Sequence, residues 1–211
     1  MSRLRFTKIV TPNGPPSGAV ELYDSSDTPG LLRSIDESNN LVTLTPFYNY
    51  SVIAQVLPVA RTYLIGSTLS VPISKLKIGS TFQWRFNITK DANGSASGVV
   101  DIAIGTAGAV ADTAVVSFTK PAGTNVVDEG FIEITATVRG PLTASCVITG
   151  EMVLYHNLAT TGHAQISPVV LNTVSGAFDA TTALLKLGIC VTGGASDNVT
   201  VQQVLALATN L

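Results

Sequence analysis

His156 and His163 are the two histidines of this 211-residue chain, seven positions apart across Gly162. Two imidazoles brought together by a turn are half of a zinc centre, which needs a third and a fourth ligand. No further ligand presents itself at a suitable spacing, and the simpler reading is a strand-end His156 hydrogen-bonded to a loop. Asp101, Asp112 and Asp128 are the next constellation. Gathered at one end of a β domain, they would make an oxygen-rich place for Ca²⁺ or a sugar. Asx turn-capping accounts for Asp112 and Asp128 without a ligand. A glycosidase needs two facing carboxylates, and acids are sparse here. No Gly-x-Ser-x-Gly elbow, P-loop, Rossmann glycine pattern, zincin helix or Cys-x-x-Cys pair occurs. The residues therefore predict a chain that is not an enzyme, with no catalytic, cofactor-binding or metal-ligating residue.

Cys146 and Cys190 fall on predicted strands, and they read as two buried free thiols, with a disulfide as the alternative. The opening Met1-Ser-Arg-Leu-Arg-Phe lacks the apolar stretch of a secretory signal, so export is not expected. The sequons at Asn49, Asn87, Asn93 and Asn198 then read as chance in a Thr/Ser-rich sequence.

The element that must position these residues is Thr81–Lys90. Phe82, Trp84, Phe86 and Ile88 alternate with Thr81, Gln83, Arg85, Asn87 and Thr89, which puts apolar and polar side chains on opposite faces of one strand. With the only tryptophan in a chain of 6% aromatics, it predicts the seam of the core and an inward-facing Trp84. Further strands are predicted at residues 99–104, 113–118, 131–139, 146–156, 166–171, 177–181, 185–191 and 199–208. Apolar residues on both faces of 146–156 predict a strand covered on both sides. Turn signals about every 8 to 15 residues and no helical period give an all-β antiparallel sandwich, a jelly roll by strand count, over residues 61–211. An eight-stranded barrel is the rival.

Residues 1–60 read as an extended N-terminal arm carrying a small β-meander, with strands near 5–10, 19–23, 31–35 and 41–44 and a Pro/Gly-rich stretch over 11–18. So small a meander cannot bury enough apolar surface to stand alone. Charge is uneven. Hydrophobic residues make up 45% and charged residues 12%, with a net charge of −2. That balance argues against nucleic-acid binding, and no apolar run is long enough for a membrane helix. From Gly140 to Leu211 the charged residues are Glu151, Asp179, Lys186 and Asp197. So neutral a stretch predicts a surface that packs against another molecule.

Two segments carry a resemblance. Pro16-Ser-Gly-Ala-Val-Glu-Leu-Tyr23, with Leu31-Leu-Arg-Ser-Ile-Asp36 and Leu41-Val-Thr-Leu44, resembles a segment common at the N-termini of bacteriophage virion proteins. Phe82-x-Trp-Arg-Phe-x-Ile-Thr-Lys90, with the stretches around 102–114, 131–139 and 152–156, is similar to the jelly-roll modules of phage accessory virion proteins. The resemblance implies a capsid decoration (cement) protein of a tailed phage, made in the host cytoplasm and placed on the capsid surface. It implies a homotrimer bound to the major capsid protein. On that expectation Leu4, Phe6 and Ile9 anchor the arm with Arg3 and Arg5 at its rim, and Val199, Val201, Leu205 and Leu207 form the oligomer interface. The alternative is a tail- or fibre-attached module that binds a host surface glycan through the loops at 91–98 and 105–112.

Overall fold

The computed structural model describes the backbone at residues 8–9, 20–25, 32–36 and 41–43, and backbone and side chains at residues 47–195 and 198–211. The chain divides into two units, Met1–Pro46 and Phe47–Leu211. In the first, β1 (Lys8–Ile9) runs parallel to β2 (Val20–Ser25), which continues antiparallel through β3 (Leu32–Asp36) to β4 (Leu41–Thr43). The expected meander is therefore β2–β3–β4.

The second unit is an antiparallel β-sandwich of two sheets. Its strands are β5 (Phe47–Ser51), β6 (Gln55–Val56), β7 (Thr62–Tyr63), β8 (Leu69–Pro72), β9 (Thr81–Lys90), β10 (Gly98–Gly105), β11 (Thr113–Lys120), β12 (Asp128–Gly140), β13 (Val147–His156), β14 (Val169–Val174), β15 (Leu184–Thr192) and β16 (Val199–Thr209). One 3-10 turn, Ile73–Lys75, precedes β9. The seven-stranded sheet has the order β14-β13-β12-β9-β16-β5, with β6 also on β16; the five-stranded sheet has β11-β10-β15-β7, with β8 also on β15. No helix among the described residues is long and apolar enough to cross a membrane.

The sandwich starts at Phe47, ahead of the boundary expected after residue 60. β5 and β6 lie along the far edge of β16, with Tyr50 opposite Leu205 and Gln55 opposite Val201. Their short neutral sequences show no long alternation, which is why they read as arm. The segment 177–181 forms only one bridge, Phe178 to Cys146, and β14 begins after Pro168 rather than at Ile166.

The core lies between the sheets. β9 forms the core seam expected of it: Phe82, Trp84, Phe86 and Ile88 are all buried. Trp84 Nε1 donates to the Ser67 carbonyl at 2.8 Å, and the Ser67 hydroxyl accepts the Ile189 N–H at 3.0 Å, so the indole's polar atom is satisfied across the sandwich. The sheets pack closely where β13 has Gly150, whose missing Cβ would lie 3.1 Å from the Phe118 ring and from Val116.

Two further expectations fail. β13 is covered only on its inner side: Ile148, Met152 and Leu154 are buried, while Tyr155 on the other face is 42% exposed. In β16, Val199 and Val201 belong to the core rather than to an interface, being almost completely buried. A bulge between Val201 and Gln203 inserts one residue and reverses the alternation. Before it, odd-numbered side chains face inward; after it, Val204, Ala206 and Ala208 do, and Leu205 turns out.

Candidate interaction surface

The polar groups that could do chemistry are held by the fold. β12 begins with Asp128 and β13 ends with His156 beside it, because Gly130 pairs with His156 in the register of the two strands. His156 Nδ1 meets Asp128 Oδ2 at 2.7 Å and its Nε2 meets the Ile166 carbonyl at 2.9 Å, the loop bond expected for it. Asp128 also accepts the N–H groups of His163 and Glu129. Burial pushes the Asp128 carboxyl up, but the bonds from His163, His156 and Glu129 outweigh it and hold it below its ordinary value. The His163 ring is fully buried with neither nitrogen partnered, and burial draws it down to about 4. Lys120 Nζ donates to the His163 carbonyl at 2.8 Å.

The remaining acids act similarly. Asp112 accepts the N–H groups of Ala107, Gly108 and Ala109 and so caps its own loop. Asp101 receives Arg61 Nε at 3.0 Å and the Ser117 hydroxyl. Arg61 Nη1 also donates to the carbonyls of Val110 and Asp112, clasping that loop onto the five-stranded sheet. Asp101 and Asp112 are thus joined through Arg61, while Asp128 stands apart with the histidines. Lys90 Nζ donates to the carbonyls of Asp91, Asn93 and Gly94, which ties down the loop at 91–98. Cys146 and Cys190 are buried and unpaired, and burial pushes both thiols up, away from the reactive thiolate. Among the described residues no group of three or more His, Cys, Asp and Glu could hold a metal ion.

Within the Phe47–Leu211 unit, the outer face of the seven-stranded sheet is left open. One row of directly opposed residues crosses it from edge to edge: Tyr50, Leu205, Arg85, Glu133, Val153 and Val170. Arg85 and Glu133, of opposite charge, face each other at its centre, a pairing that supports the sheet. The Arg85 guanidinium lies 4.1 Å from the Phe131 ring centroid, and Phe131 stacks on Tyr155 at 4.9 Å. Tyr48, Tyr50, Leu205, Val170 and Val174 are all exposed on this face. Towards β14 the face becomes polar, and a shallow depression of about 380 Å³ is lined by Thr135, Thr137, Thr149, Glu151, Asn172 and neighbours.

Of the residues expected at interfaces, Leu205 lies exposed on this face and Leu207 half-buried beside it, whereas Val199 and Val201 do not reach it. Arg3, Leu4, Arg5 and Phe6 lie outside the described residues, and for Ile9 only the backbone pairing with Ser25 is described. The Arg85–Phe131–Tyr155 stack was missed, although the alternation in β9 and β12 already puts Arg85 and Phe131 on the face opposite Trp84 and Ile132.

No protein-family model matches the chain, and no curated protein matches it. Among solved structures, a protein of unknown function from Shewanella oneidensis MR-1 is similar over 91% of this chain and 76% of its own, at 8% identity and a TM-score of 0.35. The botulinum neurotoxin serotype C1 binding domain matches over 80% of this chain and 46% of its own, at 11% identity and a TM-score of 0.24. A legume lectin-like domain from Entamoeba histolytica matches over 75% and 89%, at 10% identity and a TM-score of 0.22. Likenesses this weak leave the function to be argued from the surface itself.

Proposed function

We propose that the chain is a structural protein of a tailed-bacteriophage virion, a decoration protein that trimerises and clamps neighbouring capsid subunits. The observation that carries an assembly role is the outer face of the seven-stranded sheet, left open within the Phe47–Leu211 unit, with Tyr48, Tyr50 and Leu205 exposed side by side. Exposed apolar residues gathered on one face mark an interaction site. In this reading the oligomer contact is made by Leu205 and Leu207, and the Met1–Pro46 unit reaches the major capsid protein. The role is mechanical: three linked attachments hold by avidity where one would not. Asp101, Asp112, Asp128 and His156 are consistent with it, being occupied in capping and clasping loops.

A second reading, a tail- or fibre-attached module that binds a host glycan, draws on the depression beside Glu151 and Asn172, where hydroxyl, carboxylate and amide groups suit sugar hydroxyls. The copy number of this chain per particle, quantified beside the major shell protein, separates the two. A number comparable to the shell protein supports decoration, a handful supports the tail, and absence from purified particles overturns both.

A further inference from the structure

We infer that β14 is the edge along which a second copy of this chain pairs, antiparallel and about a two-fold axis at Asn172. Open sheet edges are templates for pairing, and proteins usually guard them with charges, prolines, bulges or very short strands. Three of the four sheet ends of the sandwich are guarded. At β5 the Tyr50 N–H is taken by the Asn49 side chain at 2.9 Å, and its neighbour β6 has two residues. At β11 the Val115 carbonyl accepts Gly176 N–H at 3.1 Å, and the strand ends in Lys120. β7 has two residues and β8 ends in Pro72.

β14 has the fewest of these devices: the Thr173 hydroxyl donates to the outward Val174 carbonyl at 3.5 Å, and Gly176, two residues past its end, bonds to Val115 of β11. Its sequence, Val-Val-Leu-Asn-Thr-Val, carries no charge and no proline, and its pairing with β13 runs without a bulge. Ser175 N–H donates to Ile148 of β13 at 2.9 Å, so alternate residues turn towards β13 and the others turn away. The others are Val170, Asn172 and Val174. Among the described residues no other segment bonds to their N–H or carbonyl groups.

The spacing of these three residues selects the partner. An antiparallel copy centred on Asn172 places Asn172 opposite Asn172, and Val170 opposite Val174, so the edge is complementary to itself. The nearest charge is Glu151, opposite Asn172 on β13. Across the joint the two Glu151 residues are separated by three strand spacings, about 14 Å, beyond the screening length of about 8 Å. The two seven-stranded sheets would become one continuous sheet, and their polar depressions would meet at the axis. This contact needs neither a virion nor the three-fold association at Leu205, from which β13, β12 and β9 separate it.

The test is one engineered cysteine in the full chain. In the proposed register Asn172 faces its own copy with Cα atoms about 5.5 Å apart, within the span of a disulfide. Asn172 is exposed, so Asn172→Cys should fold, and the native Cys146 and Cys190 are buried. Mild oxidation at micromolar concentration is expected to give a covalent dimer of Asn172→Cys about tenfold faster than of Val170→Cys. Mixing Val170→Cys with Val174→Cys should restore the fast rate. No dimer, or equal rates for Asn172→Cys and Val170→Cys, overturns the pairing. The copy number per particle is read separately, so failure of the virion reading leaves this result intact.

Discussion

Val201 and Leu205, four positions apart in β16, face opposite sides of the seven-stranded sheet: Val201 is fully buried and Leu205 is 45% exposed. A regular strand would put both on one face. The bulge between Val201 and Gln203 separates them.

Val201→Asp should therefore prevent folding, because an unpaired carboxylate in the core costs several kcal/mol. Leu205→Asp should fold with a thermal midpoint close to that of the wild type and lose only self-association. Thermal melts and solution mass of the two variants check this; a folded Val201→Asp protein would contradict the reversal.

Acid should destabilise the sandwich in a defined window. Burial draws His163 down to about 4 from 6.5; Asp128 opposes that, while Lys120, His156 and Lys90 add to it. The unfolded chain binds this proton near 6.5 and the folded chain only near 4. Stability is then complete above about pH 6.5 and falls as pH drops towards 4, by on the order of 3 kcal/mol. Asp128, held below its ordinary value, adds to the loss at still lower pH. His163→Phe should flatten the melting profile between pH 6.5 and 4; a profile parallel to the wild type would argue against it.

Gly162→Ala should be costly. Gly162 sits at φ +88°, and an added Cβ would lie 2.0 Å from Asp128 Oδ2. Strain of that kind costs about 1–3 kcal/mol, with displacement of Asp128 from His156 on top. The expected result is a lower thermal midpoint and faster amide exchange over 157–166. An unchanged midpoint would mean the loop adapts freely.

Arg61→Met should release the loop at 105–112 while leaving the core intact. The substitution removes the bonds to Val110, Asp112 and Asp101, and about 1–3 kcal/mol is expected for a buried carboxylate left without its partner. Hydrogen exchange at Thr106–Ala111 should accelerate, with little change in β9. Equal exchange in both proteins would show that Asp112 and Lys186 hold the loop without Arg61.

The sequence by itself determined the antiparallel sandwich and the faces of its regular strands. Phe82, Trp84, Phe86 and Ile88 are buried because a two-residue period is a local property of an extended chain, readable without knowing its neighbours. The same holds for Ile132, Ile134 and Ala136 in β12, and for the loop bond of His156 at a strand end. What only the tertiary structure decided depends on pairing across long separations. β5 is a strand because β16, far along the chain, supplies its partner, and Phe47–Ser51 is too short to announce this. The bulge at Gln202 arises where β16 meets β9, so the facing of Leu205 and Val201 was invisible to alternation alone. Arg61 reaches Asp101 and Asp112 only once two loops and a sheet have come together. Local period is written in neighbouring residues; register, edges and clasps exist only between strands.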